Sequence, residues 1–138
     1  MILRMKAKTS LAAQKRNISI MCVDDSKVNL LANAYILASH GYDVIATDDA
    51  EQALHVLRET TVAAVVTDYE MPRMNGARFV AHLRSAEATC RVLLHSGRTE
   101  LPSILLARVD GCSPKGQSVV RFLQDVDAIV AGKSVYVH

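Results

Sequence analysis

Several familiar sources of function are missing from this chain of 138 residues. Its three cysteines, Cys22, Cys90 and Cys112, are odd in number, widely spaced and form no CxxC pair, which argues for reduced thiols and against a disulfide framework or a zinc site. The five histidines, at 40, 55, 82, 95 and 138, show no HExxH or other ligand spacing. No apolar run is long enough to span a membrane or to form a signal-peptide core, so the expected location is cytoplasmic, with no membrane insertion. The net charge is only +2 and no basic-aromatic motif is present, so direct DNA binding is not expected.

What charge there is lies unevenly. Arg4, Lys6, Lys8, Lys15 and Arg16 put five positive charges and no acid in the first 16 residues. Residues 1–16 therefore read as a basic, mobile arm, since a short charged terminus buries little. A transit peptide shares the acid-free, Ser/Thr-containing composition, but the segment is short for one.

Half of the residues are apolar, enough for one domain with a substantial core. Five apolar runs, Ile18–Val23, Val44–Ala46, Val62–Val66, Val92–Leu94 and the stretch around Cys112, alternate with segments of helical period. That alternation predicts βα units on a doubly wound parallel sheet of five strands, with helices on both faces. In the second helical segment Ala50, Ala53, Leu54 and Leu57 follow the i, i+3, i+4, i+7 rule, and Asp49 and Gln52 have capping-box spacing. The last segment repeats the pattern with Val119, Leu123, Val126 and Val130 and stops at Gly132. Broader apolar stripes around Val28–His40 and Ala77–Ala88 read as core faces. After the last helix only a tail, residues 133–138, remains.

Polar residues gather at the ends of these runs. Asp68 follows Val62–Thr67, and strand ends are where an open parallel sheet places its chemistry, although Asp also starts ordinary turns. Asp24 and Asp25 follow Ile18–Val23; they can cap and charge a helix N-terminus, or join Asp68 around a hard divalent cation, for which Mg2+ is the best fit. His95-Ser96-Gly97 and Lys115-Gly116 close the last two runs; the Ser96 hydroxyl can donate to a phosphoryl oxygen and the Lys115 ammonium can neutralise its charge. Each residue alone has an ordinary structural explanation, whereas all of them in this order at successive strand ends are hard to obtain by chance.

With these residues in place, the chain resembles the receiver domain of two-component response regulators, over about residues 17–132. The family's acidic pair falls on Asp24 and Asp25, its phosphorylated aspartate on Asp68, its hydroxyl residue on Ser96 and its lysine on Lys115; Met71-Pro72 and Gly76 fit the loop after the phosphorylation site. The resemblance implies the flavodoxin-like strand order 2-1-3-4-5. It also implies Mg2+ bound by Asp25, Asp68 and the backbone carbonyl of Glu70, with Asp24 helping through water. The implied phosphoryl donor is a sensor histidine kinase or a histidine phosphotransfer protein, and the implied output is a protein–protein contact with a downstream target. On this reading the chain is a stand-alone phospho-acceptor that assists its own phosphorylation and dephosphorylation, and not an enzyme in the usual sense. Glu70 and Arg98 stand at positions that in this family tune the lifetime of the phosphoryl group, and pairing across the site mouth would restrict attacking water.

Three departures from the family pattern concern the switch. Cys112 stands where many receivers have an aromatic residue whose rotation reports phosphorylation, Gly116 stands where a proline is common, and the Ser96–Lys115 segment is short, implying a stunted fourth helix. Two other functional readings follow: a phosphorylation-independent adaptor with a receiver fold, and, on the loose DxD pattern of Asp68-Tyr69-Glu70, a phosphatase with an aspartate nucleophile.

Overall fold

A computed structural model describes residues 1–8, 18–86, 89–98 and 100–135. In chain order the elements are β1 (Ile2–Met5), β2 (Ser19–Val23), α1 (Lys27–Ser39), β3 (Asp43–Thr47), α2 (Ala50–Glu59), β4 (Ala64–Thr67), α3 (Gly76–Ser85), β5 (Arg91–Ser96), α4 (Ser103–Leu106), β6 (Gly111–Pro114) and α5 (Val119–Val130). The sheet order is β1-β3-β2-β4-β5-β6. From β3 to β6 every pairing is parallel, in the doubly wound order expected for the five apolar runs.

Because successive side chains of a strand face opposite ways, the sheet sorts its apolar residues into two cores. Met21, Val23, Ile45, Val65, Val92 and Leu94 pack under α2, α3 and the residues around α4. Ile20, Cys22, Val44, Ala46, Val66 and Leu93 pack under α1 and α5. Burial on both faces explains why these strands read as continuous apolar runs rather than as alternating ones. Helices α1, α2, α3 and α5 begin on side-chain caps: Ser26, Asp49, Asn75 and Ser118 accept from backbone N–H groups of the first turn.

Three local readings change. Ile2–Met5 is a sixth strand, antiparallel to β3, with Arg4 opposite Ile45, and therefore not part of a mobile arm. Leu3 and Met5 pack against the α1 side of the core, and this burial outweighs the charge that suggested mobility. Residues 9–16 of the expected arm lie outside the described residues. On α5 the buried face is Phe122, Asp125, Val126 and Ile129, while Val119 is exposed and Leu123 and Val130 are half-buried. The capping box on α2 is half made: Asp49 accepts from the N–H groups of Glu51 and Gln52, but the Gln52 carboxamide accepts from Thr47 Oγ1 instead of returning to the cap.

The stunted fourth helix is a single turn of four residues. Gly132 ends α5 with φ +87°, a left-handed conformation suited to glycine. Beyond it Val135 bridges to Gly111 at the outer edge of β6, so the described part of the tail is docked on the sheet. Among the described residues no helix is long and apolar enough to cross a membrane.

Candidate functional site

Four strands end at one pole of the sheet and deliver the polar residues there. β2 runs into Asp24 and Asp25, β4 into Asp68, β5 into Ser96 and β6 into Lys115. The backbone fixes the relative heights: Asp68 N–H donates to the Val23 carbonyl at 2.9 Å, and Lys115 N–H donates to the Ser96 carbonyl at 2.9 Å. Asp24, Asp68 and Ser96 are buried at 3, 7 and 5% exposure, so their polar atoms depend on one another rather than on bulk water.

Lys115 is the central cation. Its Nζ lies 3.1 Å from Asp68 Oδ2 and 3.3 Å from Asp24 Oδ2. Burial alone pulls the ammonium's pKa down, but the hydrogen bond to Asp68 and the charges of Asp24 and Asp68 outweigh it, and the net shift is upward. Lys115 is therefore held charged. Asp24 moves up as well, first because burial penalises its charge and then through repulsion by Asp68; the Ser26 N–H and Lys115 offset this only in part. The other Asp68 oxygen, Oδ1, accepts from the Glu70 N–H at 3.3 Å.

Oxygen atoms of Asp24, Asp25 and Asp68 all lie within 4.8 Å of one another, with Asp25 exposed toward solvent. Three carboxylates face one ammonium, an excess of negative charge carried on hard oxygen donors, and that donor set fits a divalent cation of the Mg2+ class. The mouth of this region is a shallow depression lined by Asp25, Tyr69, Glu70, Met71, Pro72, Asn75 and Arg98.

At that mouth the Arg98 guanidinium lies 3.4 Å from Glu70 Oε1 and 5.1 Å from the Tyr69 ring centroid. Both partners of the ion pair are more than half exposed, so solvent screening leaves it little energy. The Arg98 N–H donates to Ser96 Oγ at 3.1 Å, leaving the hydroxyl proton for another acceptor. Gly76, at the start of α3, closes the loop from below: its N–H donates to the Tyr69 carbonyl at 2.6 Å, and a Cβ there would meet Asp68 O and Tyr69 Cα at 2.7 Å.

The structure thus places Asp24, Asp25, Asp68, Ser96 and Lys115 together, with Glu70 and Arg98 at the rim. Cys112 lies apart, half-buried against the core under α3 and α4, its thiol pushed up by burial. The sequence reading passed over a second polar group beside the Lys115 turn, formed by Ser113, Gln117 and Asp125. The available signal was an acidic residue at a core-facing position of α5.

The model of the response regulator receiver domain matches residues 20–113. The virulence sensor protein BvgS of Bordetella pertussis is 37% identical over 84 residues, 59% of this chain and 7% of that protein. The two-component response regulator ORR11 of Oryza sativa subsp. indica is 35% identical over 68 residues, 49% of this chain and 46% of that protein. The chain thus spans less than half the length of these curated relatives. Among solved structures, the signal receiver domain of the putative response regulator NarL from Mycobacterium tuberculosis is 26% identical, with a TM-score of 0.76 over 86% of this chain and 99% of that one. Chemotaxis protein CheY4 of Vibrio cholerae shares the fold at 22% identity and a TM-score of 0.73, over 81% of this chain and 98% of that one. On the match across residues 20–113, the chain belongs to the response regulator receiver domain family of two-component signalling.

Proposed function

We propose that Asp68 accepts a phosphoryl group, and the observation that carries this reading is the contact of one ammonium, Lys115 Nζ, with both Asp68 and Asp24 inside a three-carboxylate cluster. An Asp68 carboxylate oxygen attacks phosphorus in line; the new O–P bond forms as the bond to the donor's leaving group breaks, and an acyl phosphate results. Lys115, already on Asp68 Oδ2, keeps a positive charge beside the incoming oxygens. Ser96 Oγ, whose acceptor side is occupied by the Arg98 N–H, directs its proton to them. Asp25, Asp68 and the Glu70 backbone carbonyl, with Asp24 helping, would hold Mg2+. A divalent cation there offsets the repulsion between anionic nucleophile and anionic phosphoryl group.

The donor on this reading is a phosphohistidine of a sensor kinase or phosphotransfer protein, and the output is a contact of the receiver surface with a protein target. The three free thiols agree with a cytoplasmic setting. Glu70 and Arg98 set the phosphoryl lifetime by closing the mouth against water, which measured dephosphorylation unchanged in both Glu70→Ala and Arg98→Ala would contradict. Two observations favour a second reading, a phosphorylation-independent adaptor: Cys112 at the switch position has no ring to rotate, and α4 is one turn long.

Incubation with a small phosphodonor and Mg2+, followed by intact-mass measurement, tests the proposal. The expected result is one phosphoryl adduct on the wild type and none on Asp68→Asn. No adduct on folded wild type would support the adaptor, and sustained release of inorganic phosphate over many turnovers would point to a phosphatase.

A further inference from the structure

Lys115 sits on a turn with little intrinsic rigidity. Gly116, the next residue, has φ +88° and no heavy atom within 4 Å of the place a Cβ would occupy, so neither a side chain nor packing at that point fixes the turn. Something else must hold an ammonium between Asp24 and Asp68.

The side chains two residues to either side of Lys115 are tied to one buried acceptor. Ser113 Oγ donates to Asp125 Oδ2 at 2.9 Å, and Gln117 Nε2 donates to the same oxygen at 2.9 Å. Gln117 Nε2 also donates to Ser113 Oγ, which closes a three-membered ring of hydrogen bonds across the base of the turn. Ser113 is 1% exposed and Asp125 5%. Asp125 Oδ1 is left to Arg121 Nε at 3.5 Å on the outer side of α5.

An acid on the core-facing side of α5 is costly unless every donor around it is used, and here its inward oxygen takes two bonds from the segment that carries Lys115. We propose that Asp125, acting through Ser113 and Gln117, is the positioning residue of the Lys115 turn: it clamps residues 113 and 117 to α5 so that the ammonium reaches Asp68 and Asp24. The clamp makes no contact with the phosphoryl group and acts only through Lys115. Its effect on phosphoryl transfer rests on the function proposed above, whereas its effect on the turn does not.

The substitutions Asp125→Ala and Asp125→Asn separate geometry from charge. Asparagine keeps a carbonyl oxygen able to take both inward bonds while removing the charge, and alanine removes both. Two measurements are made on each folded variant. One is amide hydrogen exchange at Lys115, whose N–H is bonded to the Ser96 carbonyl. The other is the initial rate of phosphoryl incorporation from acetyl phosphate with Mg2+. For Asp125→Ala the Lys115 amide is expected to exchange about tenfold faster or more, with the amides of Val65 and Val66 unchanged. Phosphorylation is expected to slow by about tenfold to a hundredfold. Asp125→Asn is expected to recover both to within about threefold. Wild-type exchange at Lys115 in Asp125→Ala, or an asparagine variant as impaired as alanine, would overturn the clamp. Should wild type take up no phosphoryl group, the proposed function fails and the exchange measurement still decides the clamp.

Discussion

At the scale of single residues the site trades stability for charge. Asp24 is buried beside Asp68, and its raised pKa means that the charged form is disfavoured in the folded protein. With the folded pKa above the ordinary value, stability increases as pH falls through it, and at neutral pH the carboxylate is a net cost. Asp24→Asn should therefore raise the melting temperature in the absence of divalent ions, by about 3 °C for on the order of 1 kcal/mol, while weakening Mg2+ binding. A lower melting temperature would show that the lost Lys115 contact outweighs the burial penalty. His95 has the opposite sign. It stacks on Phe122 with ring centroids 4.7 Å apart, and burial, then the charge of Lys115, push it down to about 4, against smaller upward effects of Asp68 and Asp125. Between its ordinary value of about 6.5 and 4 the unfolded chain binds more protons than the folded one, so this stabilisation is complete above pH 6.5 and is lost as pH falls toward 4. Urea unfolding at pH 7, 5.5 and 4.5 should show a loss on the order of 2 kcal/mol that His95→Gln reduces; equal slopes for both proteins would remove His95 as the cause.

At the scale of elements, α3 and the loop after β4 are fitted to one another through Gly76. Alanine would favour the helix by about 1 kcal/mol on propensity alone. The new Cβ, however, would stand 2.7 Å from the backbone of Asp68 and Tyr69, which has no flexible side chain to give way. The clash wins, and Gly76→Ala should destabilise by about 2–3 kcal/mol and slow phosphorylation by shifting Asp68; a stability equal to wild type in denaturant titration would refute the fit. The same scale shows where the sequence is legible. Strands β2 to β5 are readable because burial on both faces gives them unbroken apolar runs, and α2 because only one face is apolar. Strand β1 is not: only Leu3 and Met5 are half-buried, Ile2 and Arg4 are exposed, and the strand pairs with β3, some 40 positions away, so nothing local marks it. On α5 the stripe from Val119 looks regular, but the true face includes Asp125, and an acid among core positions hides the period. That residue is buried because Ser113 and Gln117 satisfy it, a pairing that no spacing along the chain reveals.

For the whole molecule, the sheet separates its two poles. The polar residues that continue β2, β4, β5 and β6 were legible as a set because they stand directly after the apolar runs. The opposite pole was not, because its partners come from four unrelated segments. There Asp110, just before β6, accepts from the Val92 N–H at 2.8 Å and pairs with Arg84 at 3.3 Å and Arg91 at 3.4 Å. Arg84 also donates to the Arg108 and Cys90 carbonyls, and Arg91 to the Lys133 carbonyl, so α3, β5, β6 and the chain after α5 meet at one carboxylate. Removing it leaves a backbone N–H and two partly buried guanidinium groups short of an acceptor, though both keep carbonyl partners. Asp110→Ala should cost about 2–3 kcal/mol, lowering the melting temperature by about 6–10 °C. Because the strands themselves stand between this pole and Asp68, phosphoryl uptake per folded molecule should stay within about twofold of wild type when measured well below the melting transition. A fall in uptake larger than the unfolded fraction explains would mean that the two ends of the sheet are coupled, and that the docked residues after α5 reach the site through β6.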